Sequence, residues 1–251
     1  MLGKTTTNVL FTYLLGQREN KKVLLIDFDP QMNASEILRK TFDNPVEPEI
    51  SFWEGLKKAD LTKSITKFTD NISMLEASWE LVELPNMLEA YRKDERKYLL
   101  RELLKPIKGN YDYILIDTPP TLSDFTNNAI FASDWVIAVM QTQEQAYSST
   151  LKFISYLQDL SKYESSFDLL GVIRYLVKKN GTVDNTILKD SKKTLGKAIF
   201  DNNIYQRERV KGFGRKGITK PENYDIWDKK ALYMYQMLLD EILSKAGELN
   251  D

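Results

Sequence analysis

The stretch VLLIDFDPQ, residues 23–31, decides the fold class of this chain. Its first part is a short continuous apolar run, which is typical of a parallel strand covered on both faces. Asp27 and Asp29 then follow at the carboxyl end of that strand, the edge at which open α/β sheets bind ligands. Asp29-Pro30 also fits a plain turn that begins the next helix, so these carboxylates alone do not define a site.

The same kind of apolar run recurs three times further along the chain, and helical stretches separate the runs. The strands are predicted at residues 23–27, 113–116, 135–140 and 169–173. Helices are predicted at residues 5–17, 87–104, 123–131, 145–160, 183–195 and 226–244, and loops at 43–49 and 211–223. This alternation predicts an α/β fold, a doubly wound and mostly parallel sheet with helices on both faces, in a single domain over residues 1–251.

The composition limits the chemistry that the chain can perform. Its 251 residues are 42% hydrophobic and 28% charged, which is enough to bury one substantial core. The chain has no cysteine and no histidine, so disulfides, thiolate metal sites and histidine bases are excluded. It also lacks an apolar run of about 18 residues and the apolar region of a secretory signal, so we expect a cytoplasmic protein.

The charge is distributed unevenly along the chain. The net charge is −1, but residues 171–220 contain 13 Lys or Arg against 4 Asp or Glu, a local charge of +9. A basic segment in an acidic protein is suited to contact a phosphate backbone. A solvated, lysine-rich surface would have the same composition, so charge alone leaves both interpretations open.

Gly3-Lys4-Thr5-Thr6 stands where the first helix should begin. It matches the second half of a P-loop, in which backbone N–H groups hold phosphates, the lysine reaches the β- and γ-phosphates, and a threonine hydroxyl ligates magnesium. An ordinary helix start with a threonine cap would look similar. This motif is therefore weak by itself.

A second strand, YDYILIDTPP at residues 111–120, supports the P-loop interpretation. It ends in Asp117, placed as a Walker B aspartate is when it holds magnesium through water. A strand-end turn with prolines is the alternative. Three phosphate and cation signals in P-loop order together predict a site for a nucleotide and Mg²⁺.

These motifs resemble the ParA-type ATPases of plasmid and chromosome partition, within the ParA/MinD superfamily. The resemblance rests on the order GKTTT, LLIDFDPQMNAS, YDYILIDTPPTLSDFTNNAIFASDWVIAVMQ and GVIRYLVKKNG, and it continues through KAIFDNNIYQRERVKGFG to a closing helix. DFDPQ and DTPP at this spacing after GKTT are specific for that family.

The resemblance implies a role for each matching position, with ATP and Mg²⁺ as cofactors. Lys4 would bind the phosphates and act in catalysis, Thr5 and Asp117 would hold the magnesium, and Asp29 would orient the attacking water. Asp27 would support the metal side as a further catalytic and metal residue. The remaining nucleotide contacts would be Gly3, Thr6 and Pro119.

The chain departs from the family pattern at its start. Family members have a strand and then Lys-Gly-Gly-x-Gly-Lys-Thr, whose first lysine reaches the phosphates of the dimer partner. Here Leu2 occupies the variable position and Met1 replaces a glycine, so we expect a chain truncated within the deviant Walker A motif. Loss of a central strand would expose the edges of its neighbours.

The resemblance also implies partners. It predicts a nucleotide-dependent homodimer, a ParB-like centromere-binding protein that stimulates weak hydrolysis, and nonspecific double-stranded DNA bound in a nucleoid-associated location. Seven residues are candidates for the DNA contact: Lys178, Lys179, Lys192, Lys193, Lys211, Arg215 and Lys216. Adenine contacts are expected near residues 174–180 and 202–209.

Two alternatives remain open from the sequence. A MinD-like membrane ATPase needs a basic amphipathic helix at its C-terminus, whereas this chain ends in the acidic Gly247-Glu248-Leu249-Asn250-Asp251, so we expect no membrane partner. A non-hydrolysing remnant would keep the fold and the DNA or protein contacts without tight ATP binding. Met1 and Leu2 favour the remnant, and the intact Lys4 and Asp117 favour the enzyme.

Overall fold

The apolar run at residues 23–27 is strand β1 (Val23–Asp27) in this computed structural model, and every residue of it is buried. The structure describes residues 3–164, 166–179 and 181–250. They form two compact units: the first contains the chain up to Ala132 together with Lys211–Tyr224, and the second contains Ser133–Val210 and the chain from Asp225 onward.

The first unit is built on a four-stranded sheet with strand order β2-β3-β1-β4. Strands β3 (Ile72–Leu75) and β4 (Tyr113–Asp117) run parallel to β1, and β2 (Ile65–Lys67) pairs antiparallel with β3. In the register of β1 and β4, Asp27 lies opposite Asp117. The two strands therefore bring both predicted carboxylates to one edge of the sheet.

Helices of the first unit pack around this sheet. They are α1 (Gly3–Gln17), α2 (Asn33–Phe42), α3 (Phe52–Lys58), α4 (Leu84–Leu88), α5 (Leu99–Leu104) and α6 (Asp124–Phe131). Helix α1 contacts β1 and β4 and is buried along most of its length. Leu24, Ile26 and Phe28 belong to a core cluster with Phe52 of α3 and Phe125 of α6. Burial of these side chains holds β1 against α3 and α6.

The second unit is built on a three-stranded parallel sheet with strand order β5-β6-β7. The strands are β5 (Trp135–Gln141), β6 (Asp168–Val177) and β7 (Ile204–Tyr205), and the helices are α7 (Glu144–Ser161), α8 (Thr182–Leu195) and α10 (Ile226–Asn250). Helix α9 (Glu208–Lys216) follows β7, and its residues from Lys211 onward belong to the first unit. Val172 of β6 and Ile187 of α8 share one apolar cluster, so α8 covers that face of the strand.

The predicted α/β class and the parallel strands are confirmed, with differences in detail. The strands belong to two sheets, and the single domain of residues 1–251 stays a prediction. Among the described strands, β4 pairs only with β1 and β5 only with β6. Residues 113–116 and 135–137 are partly exposed, whereas β1 is buried throughout, so each sheet has an apolar edge strand.

Two sequence predictions about helices and loops are wrong. A continuous helix at residues 87–104 is not formed, because α4 ends at Leu88 and α5 begins at Leu99. The residues from Glu89 to Glu95 are exposed and mostly charged, so a helix there would have no apolar face to bury. The predicted loop at residues 211–223 begins as helix α9, which buries Val210 and Phe213 despite its glycines.

Candidate nucleotide-binding site

Lys4 lies in the first turn of α1 and reaches the segment that follows β4. Its Nζ donates to the carbonyl oxygen of Pro119 at 2.8 Å and lies 3.4 Å from the Thr118 hydroxyl. Burial lowers the pKa of Lys4, and the nearby charges of Asp117 and Asp29 act in the opposite direction. The structure thus joins the GKTT motif to the DTPP motif through one lysine.

Asp117 ends β4 and is 1% exposed. Its Oδ1 accepts a hydrogen bond from Asn8 Nδ2 at 2.9 Å, while its Oδ2 is buried without a hydrogen-bond partner. Burial raises the pKa of Asp117, against the lowering effects of Thr5, Asn8 and Lys4. A buried carboxylate oxygen without a partner is unfavourable, and a cation or its bound water would satisfy it.

Asp27 is fully buried beside Asp117 but is held by other groups. Its Oδ2 accepts hydrogen bonds from the Ser35 backbone N–H and hydroxyl, both at 2.8 Å, and its Oδ1 accepts one from the Asp29 N–H at 3.3 Å. Burial and the charge of Asp117 raise the pKa of Asp27 to about 7. Both oxygens of Asp27 thus anchor the chain between β1 and α2, whereas Asp117 keeps one oxygen unpartnered.

Asp29 shapes the turn between β1 and α2. Its Oδ1 accepts from the Gln31 N–H at 3.0 Å, and its carbonyl oxygen accepts from the Met32 N–H at 2.9 Å. Met32 precedes α2 with φ of 57°, a left-handed conformation that is uncommon outside glycine. The Asp29-Pro30 turn before the next helix is therefore present. The role of Asp29 in orienting the attacking water stays a prediction.

The first turn of α1 presents the remaining predicted contacts. Gly3, Thr5 and Thr6 are buried there, where the backbone N–H groups of a helix have no intrahelical acceptor. A phosphate at such a helix start accepts these hydrogen bonds and is stabilised by the helix dipole. Met1 and Leu2, on which the predicted departure from the P-loop pattern depends, lie outside the described residues.

The side chains that position this site were not predicted from the sequence. Asn8 holds Asp117, Ser35 holds Asp27, and Thr118 lies beside Lys4. Asn8 could have been found, because it stands one helical turn after Lys4 and so shares its face. Ser35 could not, because its contact depends on how α2 packs. Within the part of the chain that the structure describes, no three acidic side chains form a metal site of their own.

The seven predicted DNA contacts are exposed but do not lie in one unit. Lys178, Lys179, Lys192 and Lys193 belong to the second unit, whereas Lys211, Arg215 and Lys216 belong to the first. Lys179 lies over the ring of Tyr205 at 5.3 Å, beside a cavity of about 460 Å³ lined by Val177–Lys179 and residues 205–208. The continuous basic segment of the sequence is thus divided between the two units.

The chain is similar to known proteins over most of its length. A family model described as an AAA domain matches residues 2–169. The chromosome partitioning protein ParA of Myxococcus xanthus is 27% identical over 235 residues, which cover 91% of this chain and 79% of that protein.

Two solved structures have a similar fold. One is an ATP complex of a Cyanothece McdA variant, with a TM-score of 0.80, 22% identity, and coverage of 96% of this chain and 91% of that chain. The other is a plasmid partition protein of Borrelia burgdorferi bound to AMPPNP, with a TM-score of 0.74, 25% identity, and coverage of 97% and 94%.

The fold and the site therefore define a P-loop ATPase of the AAA-domain type. More closely, the chain belongs to the ParA-type partition ATPases. These relatives do not favour the MinD-like alternative. None of the described helices has the length and apolar content that a membrane crossing requires.

Replacement of Asp117 by Asn should abolish the magnesium dependence of nucleotide binding. Asparagine keeps the shape of the side chain but removes the negative charge of the carboxylate, whose Oδ2 has no hydrogen-bond partner. Loss of one metal ligand or charge-assisted contact should weaken nucleotide affinity in Mg²⁺ by roughly tenfold or more. The measurement is titration of a fluorescent ATP analogue with Mg²⁺ and with EDTA.

The matched control is Asp70→Asn, which changes an exposed aspartate of the same unit. It should leave both titrations unchanged. A variant at Asp117 that still responds to Mg²⁺ as the unaltered chain does would remove this residue from the metal site.

Proposed function

We propose that this protein is an ATP-dependent DNA partition protein. It binds Mg-ATP, dimerises in the ATP state, binds double-stranded DNA without sequence preference, and hydrolyses ATP weakly until a ParB-like partner stimulates it. The observation that carries the proposal is the buried, unpartnered Oδ2 of Asp117 next to the start of α1, where Lys4 and Thr5 also lie.

The residues present fit a nucleotide with magnesium. Lys4 and the first turn of α1 would hold the phosphates, and Thr5 with Asp117 would hold the metal, with Asp27 as support. Bound magnesium supplies charge neutralisation on the phosphates. Lys4 adds positive charge, and burial of the site strengthens its interaction with an anion.

Hydrolysis in this site depends on positioning. Asp29 would orient the attacking water, since its carboxylate is fixed by the turn before α2 and it is 9% exposed. Phosphoryl transfer requires little more than alignment and charge stabilisation, so a chain without histidine can perform it. A slow basal rate is consistent with a site that a partner completes.

Three features support the choice of DNA and protein partners. The Myxococcus relative is named a chromosome partitioning protein, and the Borrelia neighbour a plasmid partition protein. Residues 171–220 have a charge of +9 in a chain whose net charge is −1. Such a surface binds DNA through counterion release, which is sequence-independent and weakens steeply with salt. We place the protein in the cytoplasm, on the nucleoid.

The direct test compares DNA retention with ATP, with ADP and without nucleotide. We expect retention of labelled duplex DNA, and a dimer in light scattering, only with Mg-ATP. ATP turnover should rise when DNA and the ParB-like protein of the same replicon are added together. DNA retention that does not depend on nucleotide, without tight ATP binding or ATP turnover, would support the non-hydrolysing remnant instead.

Reversal of charge at Lys211, Arg215 and Lys216 should weaken DNA retention. All three side chains are exposed on or near the last turns of α9, and Lys211 and Arg215 are one turn apart on one face. Loss of three phosphate contacts would reduce the slope of log affinity against log salt by about 3. Filter binding at several salt concentrations between roughly 50 and 200 mM measures this slope.

A control with equal charge change replaces exposed residues away from the basic segment, namely Lys57, Lys58 and Lys63. It should retain DNA as the unaltered protein does. Equal retention by both triple variants at low salt would exclude the α9 surface.

A further inference from the structure

A second basic surface in the second unit contains a cavity of about 540 Å³. It lies between β6 and α8 and is distinct from the cavity beside Tyr205, because the two share no lining residue. Its lining residues are Arg174, Leu188, Lys189, Lys192, Lys193 and Asp201. Four cationic side chains thus face one carboxylate, so the cavity has a strong positive charge.

Arg174 is the buried member of this group. It stands two residues after Val172 on β6, so both side chains lie on the face of the strand that α8 covers. Arg174 is 8% exposed, and its Nη2 donates to the carbonyl oxygens of Phe200 at 3.1 Å and Asp201 at 3.5 Å. Its Nε is buried without a hydrogen-bond partner.

An arginine in this state is suited to bind an anion. The guanidinium has five donors in a fixed planar arrangement, and it remains charged when buried. The two backbone carbonyls accept from only one of the guanidinium nitrogens, and they carry no charge to balance the positive charge of Arg174. Burial lowers the pKa of Arg174, and the charge of Asp201 acts in the opposite direction. An anion with several oxygens would accept from the donors that the carbonyls leave unused.

The three lysines of the cavity come from a single helix face. Lys189, Lys192 and Lys193 follow the i, i+3, i+4 spacing of α8 and are exposed. Lys192 Nζ pairs with Asp201 Oδ1 at 2.7 Å, and the backbone N–H of Asp201 donates to Glu241 at 2.5 Å. Asp190 is a further exposed acid on α8. The lysines therefore lie at the mouth of the cavity, in reach of an extended ligand.

We infer that this cavity binds one phosphate group of the DNA backbone, with Arg174 as its inner contact and Lys189 and Lys193 as its outer contacts. Lys192 remains paired with Asp201. Without the surrounding cations, the Asp201 carboxylate would repel an anion from the cavity. The inference rests on the proposed DNA binding and adds to it a defined phosphate position. A backbone phosphate fits better than a free anion, because exposed lysines one helical turn apart match a polymer that continues beyond the cavity.

The test measures how DNA affinity depends on salt for Arg174→Met, Arg174→Lys and Lys193→Met. Each loss of one phosphate contact should reduce the magnitude of the slope of log affinity against log salt by about 1. Arg174→Met should also weaken retention about tenfold at low salt, whereas Arg174→Lys should keep the slope because the charge is retained. Lys229→Met, at an exposed lysine of the second unit outside the cavity, is the control and should keep the slope.

The same proteins are used to check folding, and to check whether the bound phosphate belongs to DNA or to free inorganic phosphate. Circular dichroism spectra and thermal unfolding should be equal for all variants, and Lys193→Met provides the result if Arg174→Met does not fold, since Lys193 is exposed. Inorganic phosphate at millimolar concentration should not displace DNA from the unaltered protein at constant ionic strength.

The outcomes separate this inference from the proposed function. DNA retention with unchanged slopes in Arg174→Met and Lys193→Met would overturn the phosphate position but leave DNA binding in place. Absence of DNA retention by the unaltered protein with Mg-ATP would overturn the proposed DNA function and this inference together. Arg174-dependent displacement of DNA by inorganic phosphate would show that the cavity is a free-anion site, and would also overturn it.

Discussion

Replacement of Lys4 by Met should reduce the affinity for Mg-ATP by at least about 100-fold, which corresponds to roughly 2.7 kcal/mol of binding free energy. Lys4 is the cation at the start of α1, and its Nζ now donates to the Pro119 carbonyl at 2.8 Å. A partly buried ammonium facing a phosphate forms a strong charge-assisted contact, and methionine keeps the length without the charge. Titration of a fluorescent ATP analogue with Mg²⁺ measures the change.

The control for this prediction is Lys21→Met, which changes an exposed lysine of the same unit. It should bind the analogue as the unaltered chain does. Equal affinity in Lys4→Met and Lys21→Met would show that the nucleotide does not use the GKTT motif. If the unaltered chain itself does not bind the analogue, the result supports a non-hydrolysing remnant and contradicts the ATPase proposal.

The parts of the fold that the sequence predicted are those with a strong local pattern. Residues 23–27, 113–117 and 135–141 form strands because each is a continuous apolar run of strand length. Their carboxyl ends meet at predictable places, so Asp27 and Asp117 could be expected at one sheet edge.

The elements that the sequence missed lack such a pattern. Strands β2 and β3 have 3 and 4 residues, too few for a reliable period. Strand β3 forms because β1 offers a partner edge, and β2 then pairs with β3. The helix predicted at 87–104 fails since its middle is charged and exposed. Helix α9 contains two glycines, which oppose a helix locally, yet burial of Phe213 stabilises it.

The candidate site shows the same division. The candidate phosphate and metal residues were predicted from motifs, but the protein contacts of these residues were not. Ser35 is 8 residues from Asp27 and Asn8 is 109 residues from Asp117, so only the packed structure pairs them. These contacts distinguish the two aspartates. Asp27 Oδ2 accepts from Ser35 of α2 and Asp27 Oδ1 accepts from the Asp29 N–H, whereas Asp117 Oδ2 has no hydrogen-bond partner.

Arg209→Met should destabilise the second unit by about 3 kcal/mol, the lower end of the effect of breaking a buried ion pair. Asp228 is fully buried and accepts from Arg209 Nε and Nη2, both at 2.5 Å. Without the guanidinium, Asp228 would keep the Asp225 N–H at 3.1 Å but would lose its charge partner. The lower value applies because 35% of the Arg209 side chain is exposed. Urea denaturation followed by circular dichroism measures the loss.

A double variant distinguishes an unpaired charge from a simple loss of packing. Arg209→Met with Asp228→Leu removes both charges, so it should recover much of the stability that Arg209→Met loses, because a buried ion pair replaced by apolar residues is often neutral. Arg215→Met, at an exposed arginine six residues further along α9, is the control and should change stability by less than about 0.5 kcal/mol. If Arg209→Met is as stable as this control, the ion pair between Arg209 and buried Asp228 does not stabilise the second unit.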